Sequence, residues 1–84
     1  MPINLTLLTK PGCHLCEDAR AIVDSVLADF GSATQLTEQN ILDDAELQAR
    51  YAEEIPVLLI NGRVHNYWRI DPERLREALT ALVG

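Results

Sequence analysis

The chain has 84 residues, 48% of them apolar, with 13 acidic and 7 basic side chains and a formal charge of −6. That length suits one domain over residues 1–84, with a modest core and a net stability of order 5 kcal/mol. Scattered Lys and Arg at this charge argue against nucleic acid and against a membrane surface, and the longest apolar run, Val57–Ile60, is far too short to span a bilayer.

Residues Ile3 to Leu8 alternate apolar and polar, with Ile3, Leu5 and Leu7 on one face. A strand is expected there, and Leu8 implies burial on both faces. Pro11-Gly12 breaks it. From His14 to Phe30 the apolar residues 15, 19, 22, 23, 26, 27 and 30 form a helical stripe, which Gly31 stops. Glu17 and Asp18 fall in the first turn, where the helix dipole favours acids.

Thr34 to Gln39 is a second strand with weaker alternation. A helix opening at Asp43-Asp44-Ala45-Glu46 has Asp43 as its expected cap and Leu47 and Tyr51 on one face. It ends before Ile55-Pro56. Val57–Ile60 reads as a strand, Asn61-Gly62 as a tight hairpin turn, and Arg63 to Tyr67 as the returning strand, with His65 at its surface. Asp71-Pro72 opens the last helix. Ile70 and Leu75 are spaced to staple its start, and Leu75, Ala78, Leu79 and Leu82 form its buried stripe. The order βαβαββα predicts an α/β fold: a parallel βαβ unit with a right-handed crossover, then an antiparallel hairpin. The result is a mixed four-stranded sheet flanked by three helices.

The chemistry-bearing segment is Lys10-Pro11-Gly12-Cys13-His14-Leu15-Cys16, between the first strand and the first helix. Cys13 falls at the helix N-terminus, where unpaired N–H groups and the dipole favour a thiolate. Lys10 adds a positive charge nearby, and a protonated His14 would favour the thiolate too. Cys16 follows one turn later, within disulfide reach and nearer the sheet. This assigns Cys13 as the attacking thiolate and Cys16 as the resolving thiol. Two buried small hydrophobes is the bland alternative, and the position of C-x-x-C at the start of a βαβ helix weighs against it. An intramolecular zinc site needs four ligands. Only Cys13, Cys16, His14 and His65 are on offer, and His14 is tethered between the two cysteines.

On Lys10-Pro11-Gly12-Cys13-His14-Leu15-Cys16, Ile55-Pro56-Val57, and Asn61-Gly62 with the final helix, the whole chain resembles short members of the glutaredoxin-like branch of the thioredoxin superfamily. The resemblance implies a thioredoxin-like fold and thiol–disulfide oxidoreductase activity. It implies a cis Pro56 packed against the cysteine pair, with Ile55 offering its backbone to the substrate chain. Three departures stand out: Cys-His-Leu-Cys replaces the family's Cys-Pro-Tyr-Cys, Glu54-Ile55-Pro56 replaces Thr-Val-Pro, and Asn66-Tyr67-Trp68-Arg69 replaces the glycine pair and Asp that receive glutathione. The usual glutathione pocket is therefore not expected. Trp68 is either an exposed aromatic for a protein partner or core packing at the last helix, and Arg69 either holds a carboxylate or is solvated.

The expected protein is a cytosolic monomeric electron carrier without a tightly bound cofactor. It reduces protein disulfides and is recharged by glutathione or by a thioredoxin-reductase-type flavoenzyme. The alternatives are a dimer that binds a metal or an iron–sulfur cluster through two cysteines per chain, and a redox-inactive interaction module.

Overall fold

The computed structural model describes residues 2–83. Strand β1 (Ile3–Thr9) leads into helix α1 (His14–Leu27), strand β2 (Thr34–Asn40), helix α2 (Ala45–Tyr51), strands β3 (Val57–Ile60) and β4 (Arg63–Tyr67), and helix α3 (Pro72–Val83). The sheet runs β2-β1-β3-β4, with β1 and β2 parallel and the other two pairings antiparallel. This is the mixed four-stranded sheet that the sequence predicts.

Period-two alternation sorts the strand residues onto two faces. Ile3, Leu5 and Leu7 of β1 and Leu58 and Ile60 of β3 join Ala19, Val23 and Val26 of α1 and Leu75 and Leu79 of α3 in one buried cluster. On the other face, Leu8, Val57, Ile41 and Ile55 pack with Cys16, and Leu47 and Tyr51 of α2 lie against them. Ile70 and Leu75 share the larger cluster, which joins both ends of the expected staple. The hairpin turn places Asn61 at φ 51° and Gly62 at φ 84°, the left-handed conformation for which Asn-Gly is selected. Asn61 also clasps the start of β1: its N–H donates to the Asn4 carbonyl (2.7 Å), and its Oδ1 accepts from the Asn4 N–H (3.0 Å).

Four expectations need correction. Helix α1 ends at Leu27 rather than running to Phe30. The Asp29 and Phe30 N–H groups bond three residues back, to Val26 and Leu27, so the chain tightens before Gly31 is reached. The cap of α2 is Asp44 rather than Asp43. Ile41–Asp43 winds into a 3-10 turn, and Asp44, in extended backbone, accepts from the N–H groups of Glu46 and Leu47. Leu82 lies 52% exposed rather than in the buried α3 stripe, at the wall of an open groove it shares with Ile60, Val64 and Ala78. His65 is half-buried rather than a surface residue. In β4, Asn66 pairs with Leu58 and Val64 with Leu59. His65 is left between them as a bulge, its Nε2 sealed from solvent without a hydrogen-bond partner. Burial, followed by the Arg74 charge, lowers the His65 pKa, and Asp71 opposes this.

Candidate active site

The loop from β1 to α1 turns at Gly12, whose φ of +75° an L side chain rarely adopts. The turn delivers Cys13 to the N-cap of α1 in extended backbone, φ −98° and ψ 111°. A residue there has a side-chain acceptor within reach of the unpaired N–H groups of the first helical turn. Here the acceptor is sulfur: Cys13 Sγ takes the N–H of Cys16 at 3.2 Å. The Cys13 carbonyl meanwhile accepts from Glu17.

The two cysteines differ most in exposure. Cys13 is partly open to solvent, whereas Cys16 retains 2% of its surface and belongs to the apolar cluster with Leu8, Ile41, Ile55 and Val57. Both are free thiols. Burial pushes the Cys16 thiol up to about 11, aided by its hydrogen bond and charge interaction with Cys13. A hydrogen bond with the Lys10 backbone and the Arg20 charge pull it the other way. Lys10 thus acts on Cys16 through its main chain. It is exposed and lines a polar cleft with Thr9, Pro11, Arg20, Glu38 and Asp43.

The segment before β3 completes the surroundings. Ile55–Pro56 is a cis peptide bond. Pro56 is fully buried, and its neighbours Ile55 and Val57 belong to the cluster that holds Cys16 and contacts Cys13. Trp68 reaches the same segment from the β4–α3 loop: its backbone N–H donates to the Pro56 carbonyl (2.8 Å) and its indole N–H to the Glu53 carbonyl (2.9 Å). Of its two sequence readings the exposed aromatic is the one observed, with 52% of its surface in solvent. Arg69 and His14 are exposed as well. Among the described residues no group of three or more His, Cys, Asp or Glu side chains is placed to hold a metal ion, and no helix is long and apolar enough to cross a membrane.

The chain as a whole is similar to known proteins. The sequence matches the family model described as the glutaredoxin-like domain (DUF836) over residues 4–80. The chain belongs to this family. A probable thioredoxin of Methanothermobacter thermautotrophicus is 30% identical over 80 residues, covering 94% of each chain. A glutaredoxin-like protein of Dictyostelium discoideum is 29% identical over 77 residues, covering 87% of this chain and 71% of that one. A solved structure from X. campestris superposes with a TM-score of 0.74 at 35% identity, covering 92% of this chain and 96% of the other. The glutaredoxin-like chain thus has a thioredoxin-like fold.

The helical stripe expected for α1 includes Leu15, which is 39% exposed. The signal was in the spacing. Cys16, Ala19, Val23 and Val26 recur at the helical period and are buried, whereas Leu15 sits one residue off that row. The roles of the Glu53 carbonyl and of Tyr67, whose ring meets Trp68 edge-on at 5.2 Å, left no sequence signal, because both depend on the path of the β4–α3 loop.

Proposed function

We propose that this glutaredoxin-like protein is a cytosolic, monomeric thiol–disulfide oxidoreductase that reduces protein disulfides with Cys13 and Cys16. The observation that carries the reading is the contrast between the two sulfurs: Cys13 is accessible and accepts a main-chain N–H at a helix N-terminus, while Cys16 is buried one turn behind it.

The Cys13 thiolate attacks one sulfur of the substrate disulfide. A Cys13 mixed disulfide forms, and the other substrate sulfur leaves as a thiolate that takes up a proton. Cys16 then loses its proton and attacks Cys13 Sγ. The Cys13–Cys16 disulfide forms, and the second substrate sulfur leaves and is protonated. Two electrons have passed from the dithiol to the substrate, and an external thiol reductant must return them. Burial keeps Cys16 a neutral thiol at rest. Once Cys13 is part of a mixed disulfide, its hydrogen bond and charge no longer add to the burial that holds the Cys16 proton, so Cys16 becomes more acidic when its attack is due.

Pro11 and Gly12 shape the approach to Cys13, and the Ile55 backbone beside Pro56 offers main-chain groups to an extended substrate. Asn66, Tyr67, Trp68 and Arg69 stand where a glutathione pocket needs open backbone, so the favoured electron source is a flavin-dependent protein reductase. Insulin reduction, run separately with glutathione plus its reductase and with thioredoxin reductase, tests this. Turnover by the intact chain with the second system, lost in Cys13→Ser, is expected. No turnover with either system would overturn the reading.

A further inference from the structure

Trp68 has a left-handed backbone conformation, φ +63°. That is costly for a bulky side chain and persists only where neighbouring groups enforce it. Three interactions do so: its backbone N–H to Pro56, its indole N–H to Glu53, and its edge-on contact with Tyr67. The indole is therefore a fixed platform, yet half of it faces solvent. Tyr67 (45% exposed) and Leu15 (39%) flank it. Leu15, Trp68 and Arg69 together line two adjoining grooves, one of about 300 Å³ closed off by Ile22 and Ile70 and one of about 400 Å³ bounded by Tyr67. Leu15 lies between the two cysteines in sequence, so the grooves adjoin the helical turn that carries the thiols, though neither cysteine lines them.

Charge narrows the occupant. The larger groove contains one charged side chain, Arg69, and no acid. Among the described residues the ion pairs are Arg20–Glu38 and Arg76–Asp29, which leaves Arg69 without one. Asp18 lines the smaller groove but lies beyond ion-pair distance of Arg69. A guanidinium among apolar walls is matched by a carboxylate attached to an apolar body.

We infer that Leu15, Tyr67, Trp68 and Arg69 form the docking surface for an extended polypeptide that places an apolar or aromatic side chain on Leu15 and Trp68 and the carboxylate of an adjacent Asp or Glu on Arg69. This deepens the thiol-exchange reading and rests on it, because the docked segment is the one that carries the target disulfide. A rigid, desolvated aromatic contact of this kind dominates the energy of a small interface.

Trp68 is the chain's one tryptophan, so its emission reports occupancy without any chemistry. The experiment titrates the Cys13→Ser/Cys16→Ser double variant with cysteine-free peptides containing Phe-Asp, Ser-Asp or Phe-Asn, following Trp68 fluorescence. The Phe-Asp peptide should shift the emission and bind roughly tenfold or more tightly than the Ser-Asp peptide. Adding Leu15→Ser should erase most of that ratio, and adding Arg69→Gln should erase the preference for Asp over Asn. Equal binding of all three peptides, no binding, or binding that Leu15→Ser leaves unchanged would overturn the inference. Failure of the thiol-exchange reading would look different: peptide selectivity would persist while the intact chain reduces no disulfide.

Discussion

Against one face of the sheet, α1 and α3 bury Ala19, Val23, Val26, Leu75 and Leu79 over Leu5, Leu7 and Leu58. Against the other face, the seven-residue α2 contributes no fully buried side chain, and the apolar layer there is built from strand ends, a 3-10 turn and Cys16. The thick face supplies most of the area removed from water and hence most of the stability. The thin face surrounds the sulfur proposed to react second with enough apolar matter to hold its proton, under a cover with few buried contacts and so a low cost of local opening.

Four measurements break or sharpen this contrast. Truncation of Leu58 to Ala on the thick face should cost about 2–5 kcal/mol, read as a drop in the urea midpoint at constant m. Truncation of Leu47, half-buried on α2, should cost roughly 1–2 kcal/mol because less of it leaves water on folding. Equal losses would mean that the two faces are energetically alike.

The second measurement is the alkaline stability of the reduced protein. Cys16 is raised from 9.0 to about 11 by folding, so the folded state holds the proton longer than the unfolded state does. Its contribution is fully present below pH 9 and is lost between pH 9 and about 11, a loss of roughly 2–3 kcal/mol. Cys16→Ser should flatten that slope. A slope unchanged in the variant would show that the thin layer does not hold the proton.

Caps give the third. Asp71 accepts from the Glu73 and Arg74 N–H groups at the start of α3, and Asp44 does the same for α2. Replacing either with Ala should cost about 1 kcal/mol. The Asp71→Ala loss should appear in global unfolding, and the Asp44→Ala loss mainly as faster hydrogen exchange within α2. The smallest effect belongs to His65. Its lowered pKa means that it contributes stability above its unfolded value and gives it up as pH falls through the folded value. His65→Gln should therefore slightly reduce acid sensitivity below about pH 6.5.

The elements that sequence made legible are those whose rule is local. Alternation in Ile3–Leu8, the Asn61-Gly62 turn, the Asp71-Pro72 helix start and the Cys13–Cys16 spacing each settle a short stretch by sterics or hydrogen bonding alone. What sequence missed needed knowledge of a distant neighbour. Asp43 and Asp44 are equal as caps until the preceding 3-10 turn chooses one. His65 matches a surface strand residue until the bulge turns it inward. The orientation of Trp68 depends on carbonyls 12 and 15 positions earlier, at Pro56 and Glu53. The candidate site is thus half local, in the thiol pair, and half tertiary, in the surface beside it.

The sheet order carries a consequence for how the chain comes together. Strand β1 sits between β2 and β3, and its residue Leu5 pairs with Leu36 on one side and with Ile60 on the other. During synthesis the βαβ half is complete once Asn40 has appeared, but β1 then presents an open row of N–H and C=O groups until Val57–Ile60 arrives. In that interval the central strand is temporarily an edge, the kind of surface on which a second nascent chain pairs. The clasp between Asn61 and Asn4 lies at the last rung of the closing strand. It locks the register as soon as β3 has docked.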